Sequence, residues 1–149
     1  MTASQTQKQT YDDIIVAVWY DIDYGDSTNV RDYYTDDAVL SFGGREVRGR
    51  QAIHDGYLER AAGDRVSRHI VSNVHVVEQG EDSAKVVSTL RLYAGNGTPV
   101  LPNADPLSVS DCFDTFVKED DGQWRIASRL LSNVFVRQGA TFSEPQARE

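Results

Sequence analysis

The sequence predicts an α+β fold, with helices gathered against a mainly antiparallel sheet. Two observations carry this. At about one third of the length the hydrophobic pattern changes from helical spacing to strict alternation, which segregates helices from strands. The links between the later alternating runs, "QGED" and "EDDG", are short and contain glycine, as joins between antiparallel neighbours do.

The elements follow in order. "TYDDIIVAVWYDID" reads as the first helix, because Tyr11, Ile15, Trp19 and Ile22 fall at i, i+4, i+8 and i+11 with Val18 beside them. Thr10 is its expected N-cap and Gly25 its stop. A second, shorter helix is expected over "STNVRDYYT", capped by Ser27, before "AVLSF" turns into a strand and "GG" bends the chain into "REVRG". The third helix is "RQAIHDGYLERAA", in which Ile53 and Tyr57 share a face and Gly56 costs about 1 kcal/mol relative to alanine. Four strands follow, centred on "VSRHIVSNVHVVE", "SAKVVSTLRLYA", "SVSDCFDTFVKE" and "QWRIASRLL". The stretch "GNGTPVLPNADPL", within 94–108, is too long for a minimal hairpin and reads either as a lid or as a plain connection. Residues 1–10 and 138–149 read as frayed tails around a single domain over 11–137.

Composition narrows the function classes. With 149 residues, 40% hydrophobic and 26% charged, the chain suits one ordinary globular domain with a real core. Fifteen Lys and Arg against 23 Asp and Glu give a net charge of −8, which repels nucleic-acid backbones and anionic lipid headgroups. Neither a secretion signal nor a run of roughly 18 apolar residues is visible, so the expectation is a cytoplasmic protein without a membrane partner. Cys112, the one cysteine, lies in an alternating run and reads as a buried, inert thiol.

The candidate chemistry centres on two residues. Asp23 lies four residues after Trp19 and eight after Ile15, so it continues the apolar stripe that faces the interior. The alternative is a solvated residue at the helix C-terminus, where the macrodipole disfavours an acid. "SRHIVSNVHV" alternates so as to place His69, Val71, Asn73 and His75 on one side. A strand histidine alone commonly serves as a hydrogen-bonded structural residue; an inward acid and an inward imidazole on layers that pack together, where they meet at hydrogen-bonding distance, make a dyad that can give or take a proton near neutral pH. Asn73 is a candidate donor to a developing oxyanion or a strand-end hydrogen bonder. Helix faces and strand parity place Ile15, Trp19, Phe42, Ile53, Tyr57 and Val71 as apolar walls, with the Tyr57 hydroxyl available to a substrate oxygen. A metal is not expected: His69 and His75 lie six residues apart, about 20 Å along an extended strand. "DIDYGD" lacks the ligand pattern of a calcium loop, and no phosphate-binding loop, dinucleotide fingerprint or nucleophile elbow is present.

"DYGDSTNVRDYYTDDAVLSFGGREVRGRQAI", then "SRHIVSNVHV", then "GQWRIASR" occur in the order typical of SnoaL-like proteins of the nuclear transport factor 2-like superfamily, and the resemblance covers residues 11–137. It implies a cone-shaped curved antiparallel sheet wrapped by three N-terminal helices, an α+β barrel with an enclosed apolar pocket, usually homodimeric. Similar proteins include scytalone dehydratase, polyketide cyclases, steroid isomerases and noncatalytic subunits of ring-hydroxylating dioxygenases. Asp23 and His69 match the aspartate and one histidine of scytalone dehydratase, whereas its tyrosines are replaced by Ile22 and Phe42 and its second histidine falls at or near Ser88. The resemblance implies a cofactor-independent dehydratase, isomerase or cyclase for an apolar oxygenated ring compound. The rival expectation is a noncatalytic small-molecule binder or a dioxygenase-type support subunit.

Overall fold

A computed structural model describes residues 1–102 and 104–140. Helix α1 spans Gln5–Tyr24, a single 3-10 turn covers Val30–Tyr33, and strands β1, Tyr34–Phe42, and β2, Arg45–Arg48, precede helix α2, Arg50–Ala61. Strands β3, Arg65–Gln79, β4, Ser83–Asn96, β5, Ser108–Lys118, and β6, Trp124–Val136, follow among the described residues. The strands form one curved sheet in the order β2-β1-β6-β5-β4-β3.

The predicted α+β class holds, with three differences. β1 runs parallel to β6, although every other pair is antiparallel. The sheet does not close into a barrel, since β2 and β3 remain as edges. Of the three expected helices the second shrinks to the 3-10 turn: Ser27 has φ +65° instead of capping a helix, and no side chain caps the turn at Asn29.

Helix α1 starts six residues before the expected Tyr11, within the segment read as a frayed tail. Ser4 and Gln7 form a reciprocal capping box, Ser4 Oγ accepting from the Gln7 N–H and Gln7 Oε1 from the Ser4 N–H, so two of the orphan donors of the first turn are satisfied. Thr10 is therefore an interior helix residue and donates back to the Thr6 carbonyl. The expected tail at 138–149 lies outside the described residues from 141 onward.

The stripe read from the sequence is the face that packs. Tyr11, Ile15, Val18 and Trp19 are buried against Val86 and Leu90 of β4, Phe116 of β5 and Ile126 of β6. Each such aliphatic or aromatic side chain contributes about 1.5–3 kcal/mol by leaving water. The Tyr11 hydroxyl donates to Gln79 Oε1 at 2.9 Å, which pins α1 to the far end of β3. Gly25 ends the helix, its N–H donating to the Asp21 carbonyl. Only glycine fits there, because a Cβ would stand 2.5 Å from Asp21 Oδ1, and the other carboxylate oxygen of Asp21 holds the Asn29 N–H. Gly56 in α2 meets no neighbour and is tolerated.

Strand β3 carries two bulges. Ser72 pairs with Thr89 and His75 with Val87, so Asn73 and Val74 share the place opposite Ser88; a second extra residue, Val77, follows. The link between β4 and β5 is tied at both ends, by Gly97 N–H to the Asp64 carbonyl and Leu107 N–H to the Leu92 carbonyl. Among the described residues no helix is long and apolar enough to cross a membrane.

Candidate active site

The last turn of α1 lies along the free edge of β3. Because β3 pairs only with β4, alternate N–H groups on its other side lack a strand partner, and such groups need an acceptor when buried. Asp23 provides one. Its Oδ2 accepts the backbone N–H of His69 at 2.6 Å, while its Oδ1 lies 2.6 Å from His69 Nδ1 and accepts from Ser67 Oγ at 2.8 Å. The side chains of both Asp23 and His69 are only 4% exposed. An acid at a helix C-terminus, where the macrodipole opposes it, is thus held by three donors from one strand.

The imidazole is fixed on a second side. Trp19, one turn before Asp23, stacks on the His69 ring at 4.3 Å between centroids and 10° between planes. The guanidinium of Arg129 lies over the Trp19 ring, 4.9 Å from its centroid. Burial pushes the Asp23 carboxyl up, but the His69 ring, the His69 N–H and the Ser67 hydroxyl outweigh burial and hold it below the usual carboxylate range. Burial also dominates at His69 and, helped by Arg60 and Arg65, holds the imidazole below its ordinary value although Asp23 pulls upward. At neutral pH the pair is therefore a carboxylate and a neutral imidazole. A carboxylate only accepts, so the network assigns the proton to Nδ1 and leaves the Nε2 lone pair as a base.

The model of the SnoaL-like domain matches residues 12–130. This chain belongs to the SnoaL-like family. No curated protein matches it at a significant level. Among solved structures, the SnoaL-like chain is similar to a scytalone dehydratase-like protein from Novosphingobium aromaticivorans, with 20% identity, 97% of this chain and 95% of that one covered, and a TM-score of 0.78. ActVI-ORFA from Streptomyces coelicolor is similar at 13% identity, covering 90% and 99%, with a TM-score of 0.76. An aromatic ring hydroxylase-like protein from Novosphingobium aromaticivorans is similar at 16% identity, covering 90% and 93%, with a TM-score of 0.72. These likenesses establish the nuclear transport factor 2-like fold.

The SnoaL-like domain brings some of the sequence-predicted site residues together and separates others. Asp23, His69 and Trp19 are in direct contact. Tyr57 is buried in the same core, and Val71, one pleat from His69, packs against it partly buried. Phe42 also touches the core but lines an open cleft of about 750 Å³ at the β1–β2 turn and β6. Asn73 does not join the site: it sits at the bulge with φ +55° and is exposed, and the extra residue turns Val74, not Asn73, toward the core. His75 is exposed for the same reason.

Sequence reasoning missed Ser67, which shares the strand parity of His69, and a buried pair on the sheet. Arg129 Nε and Nη2 donate to Asp114 Oδ1 and Oδ2 at 2.7 and 2.9 Å, and neither side chain is exposed at all. The signal at Asp114 was an acid on the inward parity of "SVSDCFDTFV", two residues from Cys112 and from Phe116, both buried. Arg129 could not be found the same way, because β6 shifts register between Ile126 and Ser128.

Proposed function

We propose that this SnoaL-like protein is a cofactor-independent general acid/base enzyme, a dehydratase, isomerase or cyclase, acting on an apolar oxygenated ring compound such as a polyketide or steroid-like intermediate. The observation that carries the reading is the 2.6 Å contact of Asp23 Oδ1 with His69 Nδ1, both side chains shielded from water and the ring held by Trp19. Asp23 fixes the tautomer. His69 Nε2 takes a proton from a carbon beside a carbonyl, and the resulting imidazolium, steadied by the carboxylate, returns it to another carbon or to a departing hydroxyl. General base action of this type is worth about 10² to 10⁴ in rate. Trp19, Tyr57 and Val71 supply the apolar surface that a ring compound needs.

The test is deuterium incorporation from solvent into a panel of cyclic ketones and β-hydroxy ketones, together with loss of water from the latter. The native protein exchanges or dehydrates members of the panel, and Asp23→Asn and His69→Ala, with unchanged circular dichroism, do not. Equal rates in all three proteins sink the proposal.

The fixed Asp23 also favours a second reading, in which the carboxylate only anchors α1 to the edge of β3 and the protein binds a small molecule or supports a ring-hydroxylating assembly. Under that reading ligand binding survives both substitutions and no exchange occurs. Either reading accommodates a homodimer, for which the exposed Phe113, Leu130, Val134 and Phe135 on the sheet are the support. Light scattering that gives the monomer mass excludes it.

A further inference from the structure

Arg129 Nη1 and Trp19 Nε1 in the core are donors that no protein acceptor meets, and the Tyr34 hydroxyl has no partner in hydrogen-bond geometry, its neighbouring hydroxyl being that of Tyr57. Tyr34 is wholly buried, and Arg129 and Trp19 are 1% and 4% exposed. Buried donors are satisfied by protein, water or ligand in nearly all folded proteins, and leaving one unpaired costs free energy comparable to a lost hydrogen bond. Their arrangement has a physical origin. The ion pair with Asp114 uses the Nε and Nη2 edge of Arg129, so the remaining nitrogen must point elsewhere. Tyr34, Tyr57 and Arg129 are near enough to influence one another electrostatically, and Arg129 rests on the same indole that stacks on His69. Arg129 stays charged and both phenols stay protonated, because burial disfavours the phenolates.

We propose that Tyr34 and Arg129, with Trp19 beside them, form a cradle of hydrogen-bond donors for a substrate oxygen that gains negative charge, one indole away from the base at His69, with the Asp114 carboxylate held off by its ion pair with Arg129. This rests on the acid/base reading above and names its substrate: a compound whose carbonyl or phenolic oxygen lies across from the carbon that loses the proton. The C–H bond breaks, the proton goes to His69 Nε2, and the electron pair moves through the forming C=C bond onto the carbonyl oxygen. That oxyanion then accepts from the Tyr34 hydroxyl and the Arg129 guanidinium, which need not reorganise to receive it. The cradle fills the role that the sequence offered to Asn73, which the bulge puts outside the core.

The test binds a series of para-substituted phenols, 4-nitrophenol among them, to the native protein and follows the phenolate absorbance. The expected result is that 4-nitrophenol binds as its phenolate below its solution pKa and that affinity rises along the series as the phenols become more acidic. Tyr34→Phe, which removes one oxygen and no carbon, weakens phenolate binding by about tenfold. Arg129→Met is made together with Asp114→Leu so that no lone charge remains buried, and it abolishes the preference for the phenolate. His69→Ala retains that preference, which separates this proposal from the dyad: a failed exchange assay with intact phenolate binding sinks only the base. Absence of binding by every phenol, binding as the neutral phenol, or affinity unchanged in Tyr34→Phe overturns the cradle. A crystal structure with 4-nitrophenol in which only an ordered water meets Tyr34 and Arg129 overturns it as well.

Discussion

Replacing Asp23 by asparagine changes one atom and tests the logic of the site. The carboxylate accepts from the His69 N–H at 2.6 Å, from His69 Nδ1 at 2.6 Å and from Ser67 Oγ at 2.8 Å. The backbone N–H cannot change role, so the one amide oxygen of asparagine must take it. The amide nitrogen then faces His69 Nδ1, which has to become an acceptor. The imidazole proton moves to Nε2 and the base disappears, although every heavy atom keeps its place. Three hydrogen bonds to a charged acceptor become neutral ones, each weaker by about 1 kcal/mol, and relief from burying a charge offsets part of this. A net loss of about 1–2 kcal/mol leaves an ordinary domain folded. The rate falls by about 10² to 10⁴, the whole general-base contribution. Nitrogen-15 spectra of labelled histidine read the tautomer directly, and the exchange assay reads the rate. An Asn variant that keeps its proton on Nδ1, or loses less than tenfold in exchange, refutes the reasoning.

Acid should remove activity and stability in turn. His69 titrates below its ordinary value in the folded chain, so the unfolded chain binds more protons as pH falls below about 6.5, and stability drops from there through the folded pKa. Asp23 titrates below about 3.8 when folded, so its contribution is present above that value and is lost only at lower pH. Thermal melts across this range should show the two declines, and kcat/KM should fall along a one-proton limb at the His69 value; a melting temperature flat from pH 7 to 4 contradicts this. Arg129→Met alone should cost about 3–5 kcal/mol by stranding Asp114, whereas Arg129→Met with Asp114→Leu should cost much less, as urea unfolding of both proteins will decide. Cys112 is buried and its thiol is pushed up to about 12, so a thiol reagent at neutral pH should label it only after denaturant opens the chain.

What could be read from the sequence depended on whether each feature was local. Trp19 and Asp23 share a helix face whatever the tertiary structure, so the inward acid was legible, and the capping box was written in Ser4 and Gln7, although Thr10, directly before the apolar stripe, also has the chemistry of an N-cap. His69 was legible because strand alternation holds from Ser67 to Val71. Beyond that the parity argument failed at Asn73, where one inserted residue exchanges the two faces of a strand and leaves no mark in the hydrophobic pattern. The parallel seam between β1 and β6 joins segments about ninety residues apart, for instance Leu40 and Arg129, and nothing in either segment announces it. The segment "STNVRDYYT" reads as a short helix capped by Ser27, but its backbone is committed by the ties of Asp21 to Gly25, Ser27 and Asn29 and has room for a single turn.

The ring of His69 and the carboxyl group of Asp23 are 46 positions apart along the chain. Winding the helix and extending the strand are local events, and neither produces a proton acceptor. The proposed base exists only when the two are seated on one another, so a collapsed chain with its helix and strands but loosened packing would own both residues without the contact between them. The seating of Asp23 on His69 is therefore also a gauge of tertiary order, sensitive to damage along the whole length of the helix seat, as far as Tyr11 and Gln79 at the opposite end.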